Sequence, residues 1–331
     1  MDTIPLKPLH DSRVKVDMSA PSRQRRRALK YLAVTGIAAV LPMTPSAQPH
    51  NKSLIKRAIP KSGDLLPVVG IGTYDTFNVG PNLPKSAPER AELKQVLLDF
   101  AALGGTVIDS SPMYGEAERV VGDLTGELNN RDKYFFATKV WTSGKQAGVR
   151  QMEQSFKLMR TSRMELMQIH NLLDLEVHTQ TLKDWKASGK IRHMGITHYH
   201  AGAHADLEKL VKTNSYDTVQ FNYSLTEREA ETRLLPACLE SGVAVIVNRP
   251  FAQANLFGRV KGKPLPAWAV EFDCTSWAQF FLKYLLGHPG VTCVIPGTRR
   301  VAHLKDNMQA GMGRLPDAAM RRRMLEYWRT L

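Results

Sequence analysis

Four polar residues of the chain have side chains that together could donate a proton to a substrate. They are Asp109, Tyr114, Lys139 and His170. A phenol has a pKa of about 10 and is a poor acid at neutral pH, but an ammonium group beside it lowers that pKa. A carboxylate can hold the lysine in place, and a histidine donor can orient a carbonyl and stabilise its developing oxyanion. These residue types therefore suit proton transfer to a carbonyl oxygen.

The spacing of these residues indicates that repeated strand–helix units bring them to one place. Lys139 follows Asp109 by 30 residues, and His170 follows Lys139 by 31, each the length of one such unit. Taken singly, each residue also has a structural explanation. Asp109 could satisfy backbone donors, Lys139 could be a solvated strand end, and His170 could be a hydrogen-bonded core histidine. The regular spacing favours the joint chemical role.

From about residue 65 the chain alternates short β-rich runs with amphipathic helical patterns. Eight runs predict strands at residues 67–73, 106–109, 134–140, 166–170, 191–197, 218–223, 243–247 and 291–295. Helical patterns lie at residues 87–103, 116–128, 148–159, 176–187, 203–213, 227–240, 276–286 and 301–308. Such alternation implies parallel strands with helical crossovers, and eight units predict a (β/α)8 TIM barrel. A doubly wound sheet is the rival, but the segment after the first strand lacks the third glycine of a dinucleotide fingerprint.

Additional elements are predicted at both ends of the barrel. Residues 55–59 and 65–66, around a turn at 62–64, predict an N-terminal hairpin that could plug the barrel floor. Residues 316–331 predict an extra C-terminal helix. The sequence thus predicts a single α/β domain over residues 48–331.

Three segments of the predicted barrel resemble sequences of the aldo-keto reductases. They are VIDSSPMYG at residues 107–115, ATKVW at 137–141 and MQIHN at 167–171. The resemblance covers residues 55–310 and implies NADPH-dependent reduction of an aldehyde or ketone on a (β/α)8 barrel. It implies that Tyr114 is the general acid and that Lys139 lowers its pKa. It also implies that Asp109 pairs with Lys139 and that His170 orients the carbonyl.

The same resemblance implies contacts with the nicotinamide half of the cofactor. The backbone of Gly72 and Thr73 is expected to pass the nicotinamide ribose and pyrophosphate. Thr197, His198 and Gln220 match positions that hold the carboxamide, although His198 replaces the usual Asn. Asn248 stands where many family members stack a Tyr on the nicotinamide, and Arg249 or Phe251 could contribute to that stacking.

The segment after the last strand predicts a site for the adenosine 2′-phosphate. A phosphate site at a short helix after the last strands is typical of this fold. We expect Gly297 and Thr298 to cradle the phosphate and Arg299 or Arg300 to pair with it, which favours NADPH over NADH. A solvated basic helix start is the alternative. Asp306 and Asn307 resemble the pair that binds adenine.

Four aromatic residues are candidates for the walls of a substrate pocket. They are Phe77, Trp141, Phe251 and Trp268. The segment 251–273 is long for a strand–helix loop, so we expect it to overlie the mouth of the barrel. Ordinary barrel packing is an alternative role for Trp141.

Composition and charge limit the classes of partner. Hydrophobic residues make up 43% and charged residues 23% of 331 residues, which fits a globular protein. The net charge is +14, but the basic residues beyond position 50 are scattered, so we expect small anionic ligands and no nucleic acid. No apolar run is long enough for a membrane span. Three separated cysteines and a loose histidine cluster predict neither a disulfide scaffold nor a metal site.

The N-terminal segment, residues 1–47, reads as a targeting signal. Arg25, Arg26 and Arg27 precede Leu29 and Lys30 and a short apolar stretch. This arrangement resembles a twin-arginine export signal, which implies the twin-arginine machinery as a partner and a periplasmic location. A basic tail with a chance apolar stretch is the alternative, and the cytoplasm is then the fallback location.

Two functions from different classes remain open at this point. The first is reduction of a small carbonyl substrate with NADPH. The second is a catalytically weak, NADP(H)-holding sensor or partner-binding protein on the same fold. The presence of all four catalytic side chain types favours the enzyme.

Overall fold

The computed structural model describes residues 53–80, 84 and 86–331. The predicted export segment, residues 1–47, lies outside the described residues. Among the described residues, no helix combines the length and the apolar character that crossing a membrane would need.

Eight strands form one parallel sheet in chain order. A parallel bridge between Val69 and Val294 joins the first strand region to the last, so the sheet closes on itself. The strands are β3 (Ile71–Gly72), β4 (Val107–Asp109), β5 (Phe135–Val140), β6 (Met164–His170), β7 (Ile191–Thr197), β8 (Thr218–Asn222), β9 (Ala244–Asn248) and β10 (Cys293–Val294). The predicted (β/α)8 barrel is confirmed, because the strands follow chain order and the sheet closes, whereas the sheet of the doubly wound rival stays open.

Eight helices cover the outside of the barrel, one after each strand. They are α1 (Pro88–Ala102), α2 (Ala117–Glu127), α3 (Lys145–Leu158), α4 (Leu175–Ala187), α5 (His204–Val211), α6 (Leu234–Glu240), α8 (Trp277–Leu286) and α9 (Val301–Gln309). Local sequence features explain where two of these helices begin. Pro88 opens α1, where its missing N–H costs nothing, and the Ser276 hydroxyl caps α8 by accepting from Gln279 N–H at 3.1 Å.

Alternation along each strand divides the buried side chains into two layers. In β5, Phe135 and Ala137 belong to the apolar cluster inside the barrel, whereas Phe136 and Val140 pack against the helices. Lys139 shares the inward parity of Phe135 and Ala137. The strand period therefore places the lysine inside the barrel near its carboxyl-terminal end.

The N-terminal hairpin closes the opposite end of the barrel. Strands β1 (Lys56–Ala58) and β2 (Leu65–Pro67) pair antiparallel. Ile59 and Leu66, both almost fully buried, belong to the same interior cluster as Phe135 and Ile246. The hairpin thus plugs the barrel floor, as predicted, and leaves the carboxyl-terminal face open.

The long loop after β9 and the C-terminal end carry the remaining helices. Helix α7 (Asn255–Val260) and a 3₁₀ turn at Ala267–Phe272 lie in the loop, and α10 (Ala318–Thr330) is the predicted extra helix. The helix predicted at 227–240 is broken into a 3₁₀ turn, Glu229–Glu231, and α6. Pro236 explains the break, because proline is tolerated only in the first turn of a helix.

Candidate active site

The carboxyl-terminal ends of the strands open into one cavity of about 740 Å³. Asp109 ends β4, and Tyr114 follows it in the loop that leads to α2. His170 ends β6. All three residues line the cavity. Lys139, one residue before the end of β5, lies fully buried beneath them. The structure therefore brings together the four residues that were predicted to act jointly.

Two acceptors hold the Lys139 ammonium. Its Nζ lies 2.6 Å from Asp109 Oδ2 and 2.6 Å from the carbonyl oxygen of Ser110. The ammonium also lies beside the Tyr114 phenol, 5.2 Å from the centre of its ring. Burial alone would lower the pKa of Lys139, but Asp109 and Tyr114 outweigh it, and the pKa lies above its ordinary value. Lys139 is therefore a buried, charged donor and not a solvated strand end.

Asp109 is held by amide groups as well as by the lysine. Its Oδ1 accepts from Gln168 Nε2 at 3.0 Å and from Gln220 Nε2 at 2.9 Å. The Gln220 Oε1 in turn accepts from Thr197 Oγ1 at 3.0 Å. The buried carboxylate thus accepts hydrogen bonds from three side chains, as a buried polar group requires.

Two opposing effects act on the pKa of Tyr114. Burial raises the pKa of Tyr114 above its ordinary value, and the Lys139 ammonium opposes this shift without reversing it. The influence of Lys139 thus has the predicted direction, while the desolvation of the phenol, which the sequence does not reveal, decides the net shift. The ammonium still stabilises the phenolate relative to a site that lacks it.

His170 is neutral in this environment. Burial, followed by the charges of Lys139 and His198, lowers its pKa to about 3. Its Nδ1 lies 3.3 Å from Ser111 Oγ, and its ring packs edge-on against Tyr114, with 6.2 Å between the ring centres. A neutral imidazole at this place can donate one hydrogen bond into the cavity.

Most residues predicted to hold the nicotinamide half of a cofactor line the cavity. They are Gly72, Thr73, Thr197, Gln220 and Asn248. His198 does not line it; its ring packs against Tyr199 and His200, and its carbonyl accepts from Asn248 Nδ2 at 3.2 Å. The amide of Gln220 is already bonded on both sides, as described above.

Two acceptors at the cavity wall fit a nicotinamide carboxamide. The Oδ1 atoms of Asn171 and Asn248 are buried and have no hydrogen-bond partner among the described residues. Both residues line the cavity. An amide NH₂ group could satisfy such acceptors, which would otherwise stay unpaired at an energetic cost.

The segment after β10 has the local form of an anion site. Gly297 lines the cavity, and Thr298 Oγ1 accepts from Arg300 N–H at 3.1 Å just before α9 begins. Arg299 and Arg300 are exposed. The two residues predicted to bind adenine are Asp306 and Asn307. The carboxylate oxygens of Asp306 accept hydrogen bonds from Ser276 and Gln279, both at 2.7 Å. Asn307, beside it in the sequence, is buried.

Apolar side chains surround the mouth of the cavity. Trp141 and Phe251 line it, as predicted. Phe77 and Trp268 do not: Phe77 is fully buried in the outer core, and Trp268 packs against Phe280 and Tyr327. The position of these two residues in the sequence does not reveal that their side chains pack within the protein.

The matching family model covers residues 68–323 and is that of the aldo/keto reductase family. The chain belongs to the aldo/keto reductase family. This membership confirms the predicted resemblance and makes the chain an oxidoreductase by class.

Individual aldo/keto reductases are similar over most of the chain. Methylglyoxal reductase YeaE of Escherichia coli is 31% identical over 261 residues, covering 76% of this chain and 88% of that protein. Aflatoxin B1 aldehyde reductase member 4 of Homo sapiens is 28% identical over 211 residues, 59% of this chain and 63% of that protein. An aldo-keto reductase of Klebsiella pneumoniae, solved in complex with NADPH, superposes with a TM-score of 0.66 at 25% identity, covering 83% of this chain and 96% of that one.

Several residues line the cavity without having been given a role from the sequence. They include Met113, Asn171 and Tyr199. Each follows a strand end by one to four residues, which is the signal that could have identified them. Arg249, considered only for nicotinamide stacking, also lines the cavity, with its guanidinium 4.6 Å from the centre of the Tyr199 ring.

Proposed function

We propose that this protein reduces an aldehyde or ketone with NADPH, with Tyr114 as the general acid. One observation carries the proposal: the Tyr114 phenol lies beside a lysine ammonium that Asp109 and Ser110 hold in place, with 5.2 Å between Lys139 Nζ and the centre of the Tyr114 ring. The charge of that ammonium favours the phenolate that proton donation would leave behind. Tyr114 and His170 line the same cavity, so a carbonyl oxygen placed there could contact both side chains.

The reaction divides between the cofactor and the side chains. Bound NADPH supplies the hydride that the carbonyl carbon receives. The substrate oxygen accepts a hydrogen bond from His170 and the proton from Tyr114, and the resulting phenolate is stabilised by the Lys139 ammonium. Asp109 keeps the lysine protonated and in position. Solvent returns the proton to Tyr114 after the alcohol leaves.

The choice of NADPH rests on the two ends of the cofactor site. The unpaired Oδ1 atoms of Asn171 and Asn248 suit the carboxamide. At the other end, Thr298, the N-terminus of α9 and the exposed Arg299 and Arg300 suit a 2′-phosphate. Gly72 allows its backbone to lie close to that of Ile295 in the cavity wall, since a Cβ at position 72 would lie 2.8 Å from the Ile295 carbonyl oxygen. The contact of Asp306 and Asn307 with adenine stays a prediction.

The mouth of the cavity suits a substrate with an apolar or aromatic substituent. Tyr74, Met113, Trp141 and Tyr199 line it with side chains that are between 36% and 56% exposed. Tyr74 lies 5.1 Å from the Tyr114 ring centre, and Trp141 lies 6.1 Å from that of His170. A carbonyl held by Tyr114 and His170 would therefore place its substituents against these rings. The names of the relatives, with methylglyoxal and an aflatoxin aldehyde, also point to aldehydes.

A panel assay tests the proposed function. Purified protein should oxidise NADPH in the presence of some members of a panel of aldehydes, ketones and quinones, followed at the NADPH absorbance band. Apolar aromatic aldehydes should be turned over with a lower KM than small polar ones. Tight NADPH binding without turnover on the whole panel would support the alternative, a catalytically weak NADP(H)-holding sensor or partner-binding protein.

We also propose that the N-terminal segment directs export by the twin-arginine machinery to the periplasm. The support is the sequence alone: three consecutive arginines, Leu29 and Lys30, and the short apolar stretch that follows. This route carries folded proteins, so the cofactor can travel inside the barrel. The three cysteines fit such a route, because all are free and buried and need no oxidising compartment to pair.

A further inference from the structure

We propose that Ser111 fixes the tautomer of His170, so that the imidazole keeps its proton on Nε2 and presents that N–H to the cavity. Ser111 is thus a positioning residue for the proposed reduction, and its effect on turnover rests on that proposed function. The tautomer itself can be measured without any turnover.

The hydrogen bonds around Ser111 leave one satisfactory arrangement. Its Oγ lies 3.3 Å from Met113 N and 3.3 Å from His170 Nδ1, and the residue is fully buried. The Met113 N–H can only donate, so it occupies a lone pair of the hydroxyl. The hydroxyl proton then has one acceptor among the described residues, which is His170 Nδ1.

The opposite tautomer would leave a buried donor unpaired. If Nδ1 carried the proton, Ser111 Oγ would accept two hydrogen bonds, and its own O–H would have no acceptor within the described structure. Burying an unpaired hydroxyl proton is unfavourable. The hydrogen-bond balance therefore selects the form in which Nδ1 accepts and Nε2 carries hydrogen.

The surroundings of His170 keep it in the neutral state in which a tautomer exists. Lys139 and His198 are the charged or titratable groups that act on it, and together with burial they lower its pKa to about 3. No described residue hydrogen-bonds Nε2. The Nε2–H is thus the free donor of the ring, on a residue that lines the cavity.

The consequence for the reaction follows from the direction of that donor. In the selected tautomer, Nε2–H can donate to a carbonyl oxygen beside the Tyr114 hydroxyl. In the other tautomer, Nε2 would present a lone pair to the same oxygen and repel it. Without Ser111 both forms become populated, and a part of the molecules cannot orient the substrate.

Nitrogen NMR of the full-length protein tests the tautomer directly. With ¹⁵N-labelled histidine, and with His170→Gln to assign the signal, His170 in the wild type should show a protonated-type shift at Nε2 and an unprotonated-type shift at Nδ1. In Ser111→Ala the two shifts should move towards each other, as expected for a mixture. Ser111→Thr, which keeps the hydroxyl, should restore the wild-type pattern.

Ser155→Ala is the matched control. Ser155 is also a fully buried serine, but its hydroxyl bonds Glu118 on the outer side of the barrel at 3.1 Å. It should lose stability as Ser111→Ala does, yet leave the His170 shifts unchanged. A wild-type His170 protonated on Nδ1, or identical His170 shifts in wild type and Ser111→Ala, would overturn the proposal.

Kinetics measure the effect on the reaction. Ser111→Ala should lower kcat about three- to tenfold, the value of one hydrogen bond, with the Kd for NADPH unchanged. Ser111→Thr should recover most of the loss. Should the wild type reduce no carbonyl at all, the proposed function fails while the nitrogen shifts still decide the tautomer.

Discussion

The Lys139 ammonium lies 5.2 Å from the centre of the Tyr114 ring. This contact places a positive charge beside the proposed general acid, where it would stabilise the phenolate that proton donation leaves. Burial opposes the charge and raises the pKa of Tyr114, so the phenol keeps its proton at neutral pH. In the proposed reaction, the carbonyl oxygen that gains negative charge during hydride transfer would take that proton.

Removing Lys139 alone should destabilise the fold more than removing the charged pair. Lys139→Met leaves the Asp109 carboxylate buried without its counter-charge, which typically costs about 3–5 kcal/mol. The double variant Asp109→Asn, Lys139→Met should recover part of that loss. Urea unfolding of the three proteins measures the free energies. If Lys139→Met alone were as stable as the wild type, Asp109 and Lys139 would not form a charged pair in the folded protein.

The neutral state of His170 predicts a dependence of stability on pH. The pKa of His170 is about 3 in the folded protein and about 6.5 when unfolded, so unfolding takes up a proton below pH 6.5. The contribution of His170 to the free energy of unfolding is fully present above about pH 6.5. It is lost as the pH falls towards 3, and the free energy of unfolding then decreases by up to about 1.4 kcal/mol per pH unit.

Unfolding curves between pH 7 and pH 5 measure this contribution. His170→Gln should flatten the dependence of the unfolding free energy on pH in that window. His303→Gln is the control, because His303 is exposed and meets water in both states. Equal slopes for the wild type and His170→Gln would contradict the neutral assignment.

The arginine pair after β10 should decide the preference for NADPH. Arg299→Ala with Arg300→Ala should raise the Kd for NADPH about tenfold to a hundredfold, because a charge-assisted contact contributes roughly 1.5–3 kcal/mol. The Kd for NADH, which has no 2′-phosphate, should hardly change. Both constants are measured by titration at one ionic strength, since added salt weakens the general field of a basic protein. An equal loss of affinity for NADPH and NADH would contradict the prediction, because the arginines would then contact a part that both cofactors share.

Export should depend on the arginines of the N-terminal segment. Replacing Arg25, Arg26 and Arg27 with Lys keeps the charge and removes the guanidinium groups, so the protein should stay in the cytoplasm. Cell fractionation measures the distribution, with the wild-type protein as reference. A triple variant that still reaches the periplasm would exclude the twin-arginine route.

The barrel could be predicted because its signals are local and repeated. The period of the strands and the spacing of Asp109, Lys139 and His170 both follow from one strand–helix unit. The hairpin plug was also predictable, since a turn at 62–64 separates two short segments that carry apolar residues. The break that precedes Pro236, between Glu231 and Leu234, was missed because the helical periodicity continues through it.

The site was predicted less completely, because it depends on side-chain directions and on burial. Phe77 lies close to a strand end in sequence but points into the outer core. The pKa of Tyr114 depends on how far the phenol is removed from water, which no spacing reveals. The free acceptor on Asn171 appears only after the neighbouring hydrogen bonds have been assigned.

The most direct test of the account compares Tyr114→Phe with the wild type on the best carbonyl substrate of the panel. Tyr134→Phe is the control, because it also removes a buried phenol hydroxyl, one that bonds the Leu97 carbonyl at 2.9 Å away from the cavity. The measurement is the rate of NADPH oxidation at saturating substrate, together with the Kd for NADPH. The account predicts that Tyr114→Phe lowers kcat at least about a hundredfold, the contribution expected of a general acid, while NADPH binding and the Tyr134→Phe rate stay close to wild type. Turnover by Tyr114→Phe within a few-fold of the wild-type rate would contradict it.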